Sequence, residues 1–243
     1  MCKFFKRLAR DLAANLRAEP QINSRVLILL SPKLKAIALA TKGFMPEAEG
    51  DALFTAASEA CDRLPRLPLV EIGTYCGRST VWLGAVAKIK KTTLFTVDHH
   101  SGSEENQNGW EWFDESLVDA TTKKLNTLPK FIETMKRAEL GHRVVPIIAD
   151  SFQASRQLGF ETSFCFIDGG HGELPTKVDY SSWTPKIAIG GSLAIHDVFV
   201  DPSQGGQAPY DFIYRPAIDS GDFVEELAAG SLRVLRRIKK RDF

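Results

Sequence analysis

Five short apolar runs recur along this chain, at 67–72, 93–97, 144–149, 164–167 and 192–195, and an acid stands at or just beyond the end of each. Stretches with helical spacing lie between them, at 79–88, 128–139, 151–158 and, more weakly, 174–183. Strand alternating with helix predicts a parallel sheet covered on both faces and joined by right-handed crossovers. Strands buried on both sides should be almost continuously apolar, and Phe164-Cys-Phe-Ile167 fits that expectation. A further helix is predicted over 46–64, with Leu53, Phe54, Ala57 and either Ala60 or Cys61 on one side. The end of the chain differs. Positions 223–227 and 232–238 read as two strands around a turn at Gly230-Ser231, which predicts a terminal antiparallel hairpin.

Phe4, Leu8, Leu12 and Leu16 recur every fourth residue, with Lys3, Lys6, Arg7, Arg10 and Arg17 among them. That pattern predicts an amphipathic helix with a basic face, docked on the domain or on a second subunit, so a homodimer is expected. The chain then divides into a helical extension over 1–45 and a main domain over 46–243. A formal net charge of +1 exerts no general pull toward nucleic acid or a membrane surface. Aliphatic runs such as Val26 to Leu30 are far too short to span a bilayer, and the basic N-terminus lacks the apolar core and cleavage site of a signal peptide. The cysteines, Cys2, Cys61, Cys76 and Cys165, are scattered without a CxxC pair, which suggests a reducing cytoplasm.

The acids carry the functional information. They are Glu71, Asp98, Asp150, Asp168 and the pair His196-Asp197, one group for each predicted strand. In an open parallel sheet all of these positions fall along one edge, where ligands bind. After the first strand comes Glu71-Ile-Gly-Thr-Tyr-Cys-Gly77, whose Gly73 and Gly77 permit a tight turn before a helix that starts near Ser79. A dinucleotide site would show GxGxxG and face its helix amides to a pyrophosphate. Here the spacing is GxxxG, and Glu71 places negative charge beside the loop. A carboxylate there repels phosphate and suits a ligand with an ammonium and a sulfonium. Asp98, about one βαβ unit further on, is placed to accept ribose hydroxyls. The implied ligand is an adenosine with a cationic tail and no phosphates.

These motifs resemble the class I S-adenosylmethionine-dependent methyltransferases, and more narrowly the subgroup with EIGxxxGxST followed by IDGGH. That subgroup is related to macrolide-sugar O-methyltransferases and cephalosporin-hydroxylase-like proteins. The matching residues are Glu71 to Thr80, Val97-Asp98, Ala149-Asp150-Ser151, Phe166-Ile-Asp-Gly-Gly-His171 and Ile195-His-Asp-Val198, and the likeness runs from about Pro46 to the C-terminus. It implies an α/β, doubly wound, mostly parallel seven-stranded Rossmann-like sheet. Glu71 and Gly73, with Thr74, Tyr75, Gly77 and Ser79 in the same turn, would hold the methionine part of the cofactor. Asp98, with His99 beside it, would hold the ribose, Asp150 with Ser151 would face the adenine, and Asp168 would also contact the cofactor. Asp168, His196 and Asp197 match positions that bind a divalent cation in metal-dependent relatives. His171 matches a proposed general base, with Asp168 beside it as a second catalytic residue. Relatives with a demonstrated metal carry an acid pair or Asp-Asn where this chain has His196-Asp197. A histidine there shifts preference from magnesium toward manganese, zinc or iron, or signals that no metal binds.

The chemistry so implied is an in-line displacement in which an acceptor lone pair attacks the sulfonium methyl. The protein aligns the two groups and removes the acceptor's proton. The expected acceptor is the hydroxyl of a small molecule. Segment 101–119, with Trp110, Trp112 and Phe113 among six acids and no base, and segment 199–215, with Tyr210, Phe212 and Tyr214, are expected to contact it. The acidity of the first segment argues against nucleic acid. His99 and His100 could join a metal site but are more simply solvated. Two other readings stay open, a cofactor-binding scaffold without catalysis and an NAD-linked oxidoreductase.

Overall fold

A computed structural model describes residues 29–239. The basic helix expected over 3–17 lies outside the described residues. Helix α1 (Pro32–Ala40) and helix α2 (Glu47–Arg63) precede strand β1 (Leu69–Ile72). There follow α3 (Arg78–Lys90), β2 (Leu94–Val97), α4 (Leu128–Ala138), β3 (Val144–Ile147), α5 (Ser151–Gln157) and β4 (Thr162–Ile167). The chain continues through α6 (Glu173–Trp183), β5 (Ile187–Ile195), a π-turn (Tyr210–Tyr214), α7 (Arg215–Asp219), β6 (Phe223–Ala229) and β7 (Leu232–Arg237). Among the described residues no helix is long and apolar enough to cross a membrane.

The strands form one sheet in the order β3-β2-β1-β4-β5-β7-β6. The first five are parallel, and the predicted terminal hairpin is present, with β7 running antiparallel to both β5 and β6. Because side chains alternate along a strand, each face has its own core. Leu69, Phe164, Phe166 and Ala194 face α2, α3 and α4. Val70, Ile72, Cys165, Ile167, Leu193 and Ile195 face Trp183 of α6 and Ala217 of α7. The order reverses at β1, between β2 and β4, which opens a crevice at the C-terminal ends of these strands.

One element differs from expectation. Strand β5 starts at Ile187 rather than Ser192, because Gly190, in the left-handed region at φ 85°, interrupts the apolar pattern without ending the strand. Helix α1 lies within the extension expected to be helical, without bounds of its own having been expected, and its start is readable: Ser31 Oγ accepts from the Leu34 amide, and Pro32 takes the first position, where its missing N–H costs nothing. Leu30, Ala38 and Met45 are buried in the α2–α3 core, so that core extends across the boundary expected at 45/46.

Candidate functional site

The loop after β1 is tied to the end of β2. Asp98 Oδ2 accepts from the amides of Thr74 (2.8 Å) and Tyr75 (2.9 Å) and from the Thr74 hydroxyl (3.2 Å), while Oδ1 accepts from the His100 amide at 2.6 Å. Asp98 therefore shapes the loop as well as facing the crevice. Gly73, at φ 81°, passes so close to β4 that a Cβ there would lie 2.1 Å from the Asp168 carbonyl oxygen. Tyr75, His100 and Asp197 also adopt positive φ, at 48°, 59° and 55°. These are uncommon conformations for residues with side chains, and all three sit at strand ends on this edge.

A cavity of about 930 Å³ occupies the crevice. Of the residues predicted to hold a cofactor, Gly73, Thr74, Tyr75, Ser79, Asp98, His99, Asp150, Ser151 and Asp168 line it. Phe152 and Leu174, both well exposed, supply apolar wall beside Asp150. Sequence reading missed both, since single apolar residues after a strand end carry no periodic signal. Asp150 caps α5 through the amides of Phe152 and Gln153. The Ser151 hydroxyl donates to Asp179 and accepts from Trp183 Nε1 at 2.8 Å. Ser151 thus fixes the cavity wall, with its own hydroxyl already engaged.

Glu71 and Gly77 do not face the cavity. Glu71 is the penultimate residue of β1, in line with Leu69 on the α3 side of the sheet, and is 0% exposed. Its two oxygens accept from the Ser79 and Thr80 hydroxyls, both at 2.6 Å. Burial drives its pKa up, offset only in part by those hydroxyls, to about 8. The carboxyl expected to meet a cationic tail is thus turned away from the cavity by strand parity, and it braces the first turn of α3. Gly77 faces Phe131 and Met135 of α4.

The acids after β4 and β5 meet two histidines. His196 is 3% exposed. Its Nε2 lies 2.8 Å from Glu49 Oε2 of α2, and its Nδ1 lies 3.1 Å from Asp168 Oδ1 and 3.2 Å from Asp197 Oδ2. His171 Nδ1 lies 2.8 Å from Glu105 Oε1. His171 Nε2 stands 3.1 Å from Asp197 Oδ2, but off the direction of a hydrogen bond, so this buried nitrogen has no hydrogen-bond partner. Burial disfavours the charged imidazole of His171, yet the carboxylates of Asp197 and Glu105 outweigh it and lift the pKa to about 10. At His196 burial is likewise outweighed, by Asp168, Asp197 and Glu49, and the pKa stands well above its ordinary value. Asp197 is held far below the carboxylate range, its burial cost exceeded by both imidazoles.

Ligand atoms of Asp168, His171 and Asp197 lie within 4.8 Å of one another. Of the expected cation set, Asp168 and Asp197 belong to this cluster and His196 does not. His196 follows the parity of Ala194 toward α2, where Glu49 and the acid pair take both ring nitrogens, and His171 takes its place in the cluster. The exposed His99 and the buried His100 stand outside that cluster, with His100 Nδ1 2.8 Å from Thr127 Oγ1. Trp112 and Phe199 line the cavity. The other aromatics of the two long segments do not: Tyr210 and Tyr214 pack on the second core, and Phe212 receives the Lys177 ammonium on its ring.

Three solved structures share this architecture. The O-methyltransferase NovP matches at 13% identity over 79% of this chain and 81% of its own, with a TM-score of 0.59. The methyltransferase PaMTH1 of Podospora anserina, solved with S-adenosylhomocysteine, matches at 12% identity over 96% of both chains, with a TM-score of 0.58. The O-methyltransferase TomG of Streptomyces achromogenes, solved with S-adenosylmethionine, matches at 13% identity over 88% of this chain and 93% of its own, with a TM-score of 0.57. At such identities the likeness establishes the fold. Residues 70–198, more than half of the chain, match the methyltransferase domain family, and that span runs from β1 to the His196-Asp197 pair after β5. The chain belongs to the methyltransferase domain family and is a class I, S-adenosylmethionine-dependent methyltransferase.

Proposed function

We propose that this enzyme binds S-adenosylmethionine along the β3-β2-β1 edge and transfers its methyl group to a hydroxyl of a small molecule held beside Asp168. One observation carries this reading. A single cavity joins the β1 loop, Asp98 and the Asp150–Phe152 wall to Asp168, His171 and Asp197, so donor and acceptor share one space. The adenine lies against Phe152 and Leu174, and the ribose lies over Asp98, whose Oδ1 receives only one amide and keeps accepting capacity. The sulfonium faces the acids after β4 and β5, whose negative charge suits a positive sulfur.

The residues present fit a divalent cation. His171 Nε2 is a buried nitrogen without a hydrogen-bond partner, and with Asp168 and Asp197 it makes a mixed oxygen and nitrogen set that suits manganese, zinc or iron as well as magnesium. Such an ion lowers the pKa of a bound hydroxyl and orients it. The protein's own groups act around that step. With no cation bound, the carboxylates of Asp197 and Glu105 favour the protonated imidazole of His171; as a cation ligand or as a proton acceptor His171 acts in its neutral form. Asp168, with His196 on one oxygen, orients the acceptor hydroxyl.

The test is methyl transfer from labelled S-adenosylmethionine to a panel of sugars and phenols, with and without divalent cations. The expected result is a methylated hydroxyl. Asp168→Asn and His171→Ala should lose about 100-fold or more in turnover, with S-adenosylhomocysteine affinity within about twofold. Turnover that survives both substitutions would remove these residues from the chemistry, and product methylated only on nitrogen or carbon would overturn the hydroxyl acceptor.

A further inference from the structure

The cavity is strongly acidic on the inside. Asp98, Glu105, Asp150, Asp168, Asp179 and Asp197 all line it, and among the described residues Arg78 is the one lysine or arginine that does. Arg78 opens helix α3 beside the β1 loop and is half-buried. The segment before α2 wraps it closely, and a Cβ on Gly43 would lie 2.8 Å from Arg78 Cβ. Yet its guanidinium is poorly satisfied. Nη1 donates only to backbone carbonyls, to Gly43 at 3.2 Å and to Thr41 at 3.4 Å, and the buried Nε has no partner. Among the described residues no carboxylate lies within ion-pair distance of it, although six share its cavity. A half-buried cation left without an anion is costly, because water no longer solvates it fully and the protein supplies no counter-charge.

The cofactor proposed above has one anionic group, the α-carboxylate of its methionine part. With the adenine at the end of β3, the ribose at β2 and the sulfur facing the acids after β4 and β5, the amino-acid end extends past Gly73 over the first turn of α3. A carboxylate entering a cavity lined by six others needs a fixed cation, and the guanidinium fork is suited to take both of its oxygens. We infer that Arg78 anchors the α-carboxylate of the methionine moiety. It supplies the tail recognition for which Glu71, turned to the other side of β1, is unavailable. This inference rests on the cofactor assignment, and the ligands chosen to test it separate the two.

Binding of S-adenosylhomocysteine and of 5′-methylthioadenosine to the full chain is measured by calorimetry. The second ligand keeps adenine, ribose and thioether but lacks the amino-acid tail. Arg78→Gln should weaken S-adenosylhomocysteine by about tenfold or more while 5′-methylthioadenosine changes by less than about twofold. Arg78→Met, which keeps an aliphatic stem against Gly43, should give the same split and guards against a folding defect in the first variant. Unchanged S-adenosylhomocysteine affinity, or equal losses for both ligands, would overturn the anchor while leaving the cofactor assignment standing. A wild-type chain that binds neither ligand would overturn both.

Discussion

Glu49 on α2 accepts at 2.8 Å from the ring of His196, a residue 147 positions away at the end of β5. The same carboxylate accepts from the Ser231 amide at 2.8 Å, in the turn of the terminal hairpin, and it sits so close to that turn that a Cβ on Gly230 would lie 2.0 Å from Glu49 Oε1. One buried acid thus joins a helix ahead of the sheet, the strand end that carries His196-Asp197 and the last hairpin. Burial works against its charge, but His196 and Ser231 outweigh that cost and hold its pKa below the usual carboxylate value.

Removing Glu49 leaves the buried His196 Nε2 and the Ser231 amide without their acceptor, and His196 keeps only Asp168 and Asp197 as counter-charges. Glu49→Ala should therefore cost about 3–5 kcal/mol of unfolding free energy in urea titrations. Glu49→Gln still offers an acceptor and should cost clearly less. Equal stability of the Ala variant and the wild type would show that Asp168 and Asp197 suffice to hold His196.

Glu71 gives a pH prediction. Its pKa is raised to about 8, so between the ordinary value near 4.5 and about 8 the folded chain keeps a proton that the unfolded chain releases. The stability tied to that proton is complete below about 4.5 and is lost as pH climbs through about 8, a change on the order of a few kcal/mol. Glu71→Gln mimics the protonated acid. Its urea midpoint should vary less between pH 5 and pH 8 than the wild type's; parallel pH profiles for the two proteins would refute the assignment.

Two glycines separate crowding from backbone strain. Gly73 at φ 81° and Gly109 at φ 94° both disfavour a side chain, but a Cβ at Gly109 has no atom within 4 Å, whereas at Gly73 it strikes the Asp168 carbonyl. Gly109→Ala should cost about 1 kcal/mol from strain alone. Gly73→Ala should cost several times that and should also weaken S-adenosylhomocysteine, because the loop must leave β4. Thermal melts and calorimetry on both variants provide the check, and similar losses at the two sites would be the contrary result.

The sequence by itself determined the layering of the fold and the edge on which the site lies. Alternating apolar runs and helical stretches force parallel strands, and an acid following each run must then fall at the C-terminal end of its strand. The GxxxG turn likewise placed Gly73 where the backbone comes closest to β4. Tertiary structure decided which way each side chain points and what it meets. His196 and Asp197 are neighbours in sequence, yet the first follows strand parity into Glu49 while the left-handed backbone at Asp197 turns the second toward the cavity. Glu71 looked like a ligand contact because it adjoins the loop, but one residue of register places it behind the strand. The roles of Glu49 and Arg78 carry no local signal, since they depend on partners brought together by sheet order and helix packing. Chain position records the alternation that builds a sheet. Only the packed molecule sets the burial and counter-charge that give each acid or base its chemistry.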